Sequence, residues 1–409
     1  MKMKLKFLGG AEEVGRLGVK ITDRDTSVIV DYGVIPEKPP QYPLPPEPVD
    51  AMFITHSHLD HIGAIPVYYH KSEPDLYATQ MTLNTMKPLL RDALKVTNLE
   101  GYPAMFNEDD INSALANMRP ARYFEPIEIG SMVATPYPAG HIPGSTMWKF
   151  EDGMSVTVTG DVNTIDTYLI NGAKPIKTDV LIIESTYAGK NHESREDVRK
   201  RFRDSVKEVI DSGGKVIMPA FAVGRTQELI MTIADMGYDV AVDGMGNDIS
   251  TIYLNTPGFL RSKKEFLRAL SKVRIIKGRN MRENAIRSDI IISTSGMLDG
   301  GPVLGYIQKL LEDEKSAIFV TGYQVEGTNG RSLLESGTLT IAGVTVKPKM
   351  RVEFFDMSAH AGHDELVSFI KAIDPKKIVL CHGDHRENLL PDLEGYDVLL
   401  PYNGKEYEI

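Results

Sequence analysis

The chain has 409 residues, 42% of them hydrophobic and 25% charged, with a formal net charge of −10; this supports two sizeable cores and is ordinary for a soluble protein. No apolar run reaches the roughly 18 residues that a bilayer-spanning helix needs, and residues 1–10 lack a signal-peptide core, so a cytoplasmic protein without membrane attachment is expected. The single cysteine, Cys381, rules out an internal disulfide, and its place beside His382 reads as a buried strand-end thiol.

Apolar alternation predicts strands over residues 2–8, 18–22 and 27–31, the last closing on Asp31. The stretch from Gly9 to Arg16 is glycine-rich but is no phosphate loop, because no Gly-Lys-Ser/Thr follows. Seven prolines between Pro36 and Pro48 predict an extended connecting loop without ladder hydrogen bonds. A fourth expected strand, 51–54, leads into His56-Ser57-His58-Leu59-Asp60-His61, which packs four potential metal ligands into six residues.

Imidazole and carboxylate donors suit zinc. His56 and His58 can project together from the strand end, while Asp60 and His61, at the turn into an expected helix over 62–70, are directed to a second, displaced centre. Two ions roughly 3.5 to 4 Å apart can activate a water and neutralise charge on a reacting ester. The plain alternative is a hydrogen-bonded histidine cluster, but groups packed this densely would repel or stay unpaired.

Helices are expected over 82–95 and 109–118. The strand 133–138 then leads to His141, and the alternating strand 155–159 leads to Gly160-Asp161, placing two further candidate ligands at strand ends. From residue 188 the pattern becomes a βα rhythm, with strands over 215–219, 239–242, 289–293 and 317–321 and helices over 224–235 and 303–312, which argues a parallel sheet covered by helices. Between Arg261 and Arg287 ten Lys or Arg face only Glu265 and Glu283. That segment is either a solvated helical face or a local guide for phosphates, with Arg268, Arg274 and Arg279 as its expected contacts. A helix over 363–373, opened by His363 at the surface, and strands over 378–381 and 398–400 complete the chain.

Asp31, the HSHLDH sextet, His141 and Asp161 resemble the successive motifs of the metallo-β-lactamase superfamily. By that resemblance His56, His58 and His141 bind one zinc ion and Asp60 and His61 a second. Asp161 bridges them, and Asp31 holds a ligand imidazole from behind. Glu184 in Ile183-Glu184-Ser185-Thr186-Tyr187, His360 in Met357-Ser358-Ala359-His360-Ala361 and His382 in Leu380-Cys381-His382-Gly383-Asp384 resemble motifs A, B and C of the β-CASP nucleases. A histidine at the third motif marks the RNA-cleaving branch, and His382 would complete the second metal's shell. Stretches around Arg225, Ser295 and Gly322-Tyr323-Gln324 are similar to further β-CASP signatures, so the resemblance spans nearly the whole chain. In detail it is to the cleavage and polyadenylation specificity factor nucleases of the shorter kind, since no segment is left over for N-terminal KH domains.

The resemblance implies an α/β architecture: a metallo-β-lactamase αββα sandwich over residues 1–187 and 357–409, with an inserted β-CASP domain over 188–356 capping the metal face. It implies a ribonuclease with two Zn2+, catalytic Asp60, Glu184 and His360, and substrate contacts from Arg225, Ser295 and Ser358. Single-stranded RNA is the implied partner, with a homodimer as one oligomeric option, and the products would be a 5′-phosphate and a 3′-hydroxyl. A thiolesterase or lactamase would share the zinc site but has no use for the insert, a flavodiiron oxidoreductase usually has an acid where His58 stands, and a silent RNA-processing scaffold would have lost ligands.

Overall fold

The computed structural model describes residues 3–409; Lys2, the expected start of the first strand, lies outside them. They form two compact units, one from the residues up to Asp166 with Ile170–Asn191 and Ala359–Ile409, the other from Thr167–Leu169 and His192–Ser358.

The first unit is built on two seven-stranded sheets. One runs in the order Glu406–Glu408, Lys4–Gly9, Gly18–Asp23, Thr26–Val30, Ala51–Phe53, Asp75–Thr79, Met118–Ala121, and the other Asp397–Leu399, Lys377–Cys381, Val180–Glu184, Met154–Val158, Thr146–Asp152, Met132–Pro138, Ile127–Ile129. Successive strand residues point to opposite faces, so in Ala51-Met52-Phe53 the phenyl ring enters the core between the sheets while Met52 joins the core beneath the helices. Phe53 meets Trp148 and Phe150 of the other sheet edge-on, at 4.8 and 5.0 Å between ring centres. The outer faces are covered by Gln80–Leu99 and Glu108–Ala116 on one side and by His363–Ile373 on the other. This is the αββα sandwich.

The second unit is a six-stranded, wholly parallel sheet in the order Arg274–Ile276, Val240–Asp243, Ile290–Ser293, Val216–Pro219, Ala317–Val320, Arg351–Phe354. Helices bury both faces, which is why Ile290-Ile291-Ile292 is apolar without alternation. Arg195–Asp211, the longest helix of this unit, lies outside the elements expected from sequence. Its signal is present, because Val198, Phe202, Val206 and Val209 recur on one buried face and the Ser194 side chain caps the first turn.

Two expectations are corrected. The helix over 62–70 is a single turn, Leu59–Ile62, followed by a separate 3-10 segment, Ile65–His70; Pro66 has no N–H to return to Ile62, so an α-helix cannot run through. His363 does open its helix but is buried, accepting from Gly189 N at 2.9 Å through Nδ1 and standing 3.0 Å from Asp392 through Nε2.

Phe53 fills space that neither sheet can close over. Phe53→Ala should therefore cost about 3 to 5 kcal/mol, measured by urea unfolding followed through Trp148, the chain's one tryptophan. A transition superimposable on wild type would show that the sheets collapse into the void.

Candidate metal centre

Every candidate ligand in the first unit sits just past a strand end or in the turn that follows it. Thr26–Val30 and Ala51–Phe53 are parallel neighbours, so Asp31 and the sextet emerge side by side. Met154–Val158, Val180–Glu184 and Lys377–Cys381 are also parallel neighbours, and they deliver Asp161, Glu184 and His382 at one sheet end. The turn Leu59–Ile62 is fixed by backbone bonds from Leu17, Tyr32 and Val34 to Asp60, His61 and Leu59. Close approach is required there, since a Cβ at Gly33 would stand 1.7 Å from Asp60 O.

Three donor groups result and Asp161 belongs to all of them: two sets of four residues, and a smaller group of Asp161, Glu184 and His360. His56 Nε2 lies 3.0 Å from His58 Nδ1, His141 Nε2 lies 3.2 Å from the same atom, and Asp161 Oδ2 is 3.4 and 3.6 Å from His56 and His141. In the second set Asp161 Oδ1 is 3.2 Å from His61 Nε2 and 3.5 Å from His382 Nε2, while Asp60 Oδ2 is 3.7 and 3.6 Å from those two nitrogens. Ligands about 2.1 Å from one tetrahedral ion stand about 3.4 Å apart. Both sets therefore fit a metal ion.

The unpaired atoms point the same way. His61 Nε2, His382 Nε2 and Asp161 Oδ1 are buried without a hydrogen-bond partner among the described residues, an expense normally avoided. Burial holds the His56 and His141 imidazoles well below their usual range, which leaves them in the neutral form a metal binds. Burial opposes charge on His61 as well, but Asp161, Asp60 and Asp31 outweigh it and raise His61 well above its usual range.

The far sides of the imidazoles are held. Asp31, fully buried, accepts from Thr55 N at 2.7 Å, Thr55 Oγ1 at 2.6 Å and His61 Nδ1 at 2.7 Å. His141 Nδ1 donates to Ala359 O at 2.8 Å. Such bonds leave each Nε2 lone pair facing inward. The glycine-rich loop also reaches the centre, since Gly10 O accepts from His382 N at 2.8 Å.

His360 belongs to the three-donor group, outside the two sets of four. Its Nε2 is 3.8 Å from Asp161 Oδ2, and its Nδ1 donates to Glu184 at 2.9 Å. Burial disfavours its charged form, but Glu184 and Asp161 push the imidazole up to about 9. Glu184 has a second task, since Oε1 also accepts from Val162 N at 2.8 Å and so anchors the turn that carries Asp161. Thr55, Val162 N and Ala359 O were not foreseen, and a backbone group or an ordinary threonine gives no local signal of such a role. Arg225, Ser295 and Ser358 belong to the other unit, where Ser358 O accepts from Arg195 and Ser358 N donates to Asp356 at 3.2 Å.

Residues 31–204 match the metallo-beta-lactamase superfamily domain, 226–333 the Beta-Casp domain and 345–389 the Zn-dependent metallo-hydrolase RNA specificity domain. The chain belongs to the β-CASP branch of the metallo-β-lactamase superfamily. It is 34% identical to a probable RNase, MJ4, of Methanocaldococcus jannaschii over the full length of both chains. It is 37% identical to RNase aCSPSF2 of Saccharolobus solfataricus, covering 100% of this chain and 86% of that one. A crystal structure of a protein of unknown function from Enterococcus faecalis shares the fold over the whole of both chains, with a TM-score of 0.63 at 14% identity.

Gly160 adopts φ +55, and a Cβ there would stand 2.5 Å from Thr55 Cβ. Gly160→Ala should therefore shift the Asp161 turn and lower metal content with the circular dichroism spectrum retained. Wild-type metal content by elemental analysis would show that Thr55 can yield.

Proposed function

We propose that this chain is a metal-dependent ribonuclease that holds two zinc ions and hydrolyses phosphodiester bonds of single-stranded RNA, acting in RNA processing in the cytoplasm. The observation that carries the reading is the pair of four-donor sets sharing Asp161, with the Glu184–His360 pair beside them. Among the described residues no helix is long and apolar enough to cross a membrane, and the relatives named RNase extend over this entire chain.

His56, His58 and His141 would hold one ion, Asp60, His61 and His382 the other, with one oxygen of Asp161 on each. When bound, the two ions supply an activated water and neutralise charge developing at phosphorus. The protein's part is orientation. Asp31 and Ala359 O lock two imidazoles in the tautomer that presents Nε2, and the buried position of the ligands keeps bulk water from competing. His360, with Nδ1 committed to Glu184, presents Nε2 as a proton donor to the leaving oxygen or a contact to the phosphate. Direction and mode of cutting can be read from a time course on 5′-labelled and 3′-labelled single-stranded RNA. Absence of any metal-dependent cleavage would refute the reading.

Two outcomes follow from the shared carboxylate and from the position of His360. The purified protein should carry two zinc ions, and Asp161→Ala should lose more metal than any other single ligand change; one ion in the wild type, or two in the variant, would contradict this. His360→Ala should keep both ions and near-normal RNA affinity while turnover falls about 10² to 10⁴-fold. Glu184→Gln retains an oxygen that can accept from Val162 N, so it should resemble His360→Ala, and the double variant should be no worse than either. Multiplied defects would mean that the two side chains act separately.

A further inference from the structure

The second unit's parallel sheet ends on one side at Arg274–Ile276, which among the described residues pairs only with Val240–Asp243. The helices before and after this edge strand, Lys263–Leu270 and Arg279–Ala285, belong to the basic segment. Apart from Arg287, exposed beyond the second helix, its ten cations divide into two groups. Arg261 donates to Thr167 O at 3.2 Å, Arg274 to Asp239 at 2.9 Å and to Ser288, and Arg282 grips the buried Asp243 with bonds of 2.7 and 3.2 Å. These three are structural, so Arg274 drops out of the expected phosphate contacts. Lys263, Lys264, Arg268, Lys272, Lys277 and Arg279, by contrast, are exposed and form no ion pair among the described residues.

We propose that this sheet edge with its two helices is a track for the phosphate backbone of RNA, made of residues other than the candidate metal ligands. The inference rests on the ribonuclease reading. A molecule with net charge −10 repels a polyanion at long range, so productive approach needs a local surface of opposite sign. Six unpaired cations around one edge strand supply that surface. Their long, unconstrained side chains suit a backbone of variable sequence better than a fixed small ligand.

The test uses the full-length, zinc-loaded His360→Ala protein as background and adds K264E/R268E/R279E. Binding of a fluorescent single-stranded RNA of about 20 nucleotides is followed by anisotropy over roughly 50 to 200 mM salt. The dissociation constant should rise at least about tenfold and the log–log salt slope should fall by about two, as expected for three lost single-strand phosphate contacts; K264R/R268K/R279K should preserve both. Unchanged affinity and slope would overturn the proposal. So would unchanged RNA binding accompanied by altered self-association in sedimentation, which would give the surface to a second copy of the chain. Cleavage is scored separately on the otherwise wild-type protein. RNA binding that responds to the charge reversal, in a protein that cuts no RNA, supports the track and sinks the ribonuclease reading.

Discussion

Everything in the first unit is arranged around a carboxylate that could not stand alone. Asp161 is 2% exposed, and a buried, unpaired charge is among the most expensive features a fold can carry. Four imidazoles, of His56, His141, His61 and His382, lie within 3.6 Å of its two oxygens. Most of these contacts are not hydrogen bonds; the donors converge on points between them. As a polar cluster the arrangement leaves buried donors unpaired, and each four-donor set could hold a cation.

The sandwich makes that convergence possible by ending parallel strands of both sheets at one place. Within each sheet the strand ends are held in register by ladder bonds, and between the sheets by Trp148, whose Nε1 donates to Ile54 O at 3.0 Å. Thr146 N donates to Thr55 O at 2.8 Å directly before the sextet. The core packing and the ligand geometry are therefore one system, in which a change in the spacing of the sheets moves His141 and Asp161 against His56 and His61. Rigid elements of this kind hold a centre within the fractions of an ångström that metal chemistry demands.

The basic segment shows how charge counted along a sequence differs from charge available at a surface. Arg282 and Tyr306 Oη both bond to Asp243, which is 1% exposed, at the end of the strand next to the sheet edge. That arginine compensates a buried acid, so the pair adds no net charge to the surface. Helix Lys263–Leu270 instead turns Phe266 and Ala269 inward and leaves its cations outside. Only the second kind can act on a partner.

The sequence by itself makes the candidate donors, their order and the family legible, because HSHLDH, His141, Asp161, Glu184, His360 and His382 are local patterns. It also determined most strands, since a parallel strand covered on both faces is a plain apolar run. It did not determine what surrounds the donors. That Asp31 would bond both Thr55 and His61, that Glu184 would hold Val162 N as well as His360, and that His363 would be buried against Gly189 and Asp392 depend on groups far apart in the chain. The one-turn helix at Leu59–Ile62 was also settled by long-range bonds to residues 17 and 32–34, beyond the breaking effect of Pro66. Local propensity decides which element forms, while the partner of a buried polar atom is chosen by packing, and only the tertiary structure brings those partners within hydrogen-bond reach.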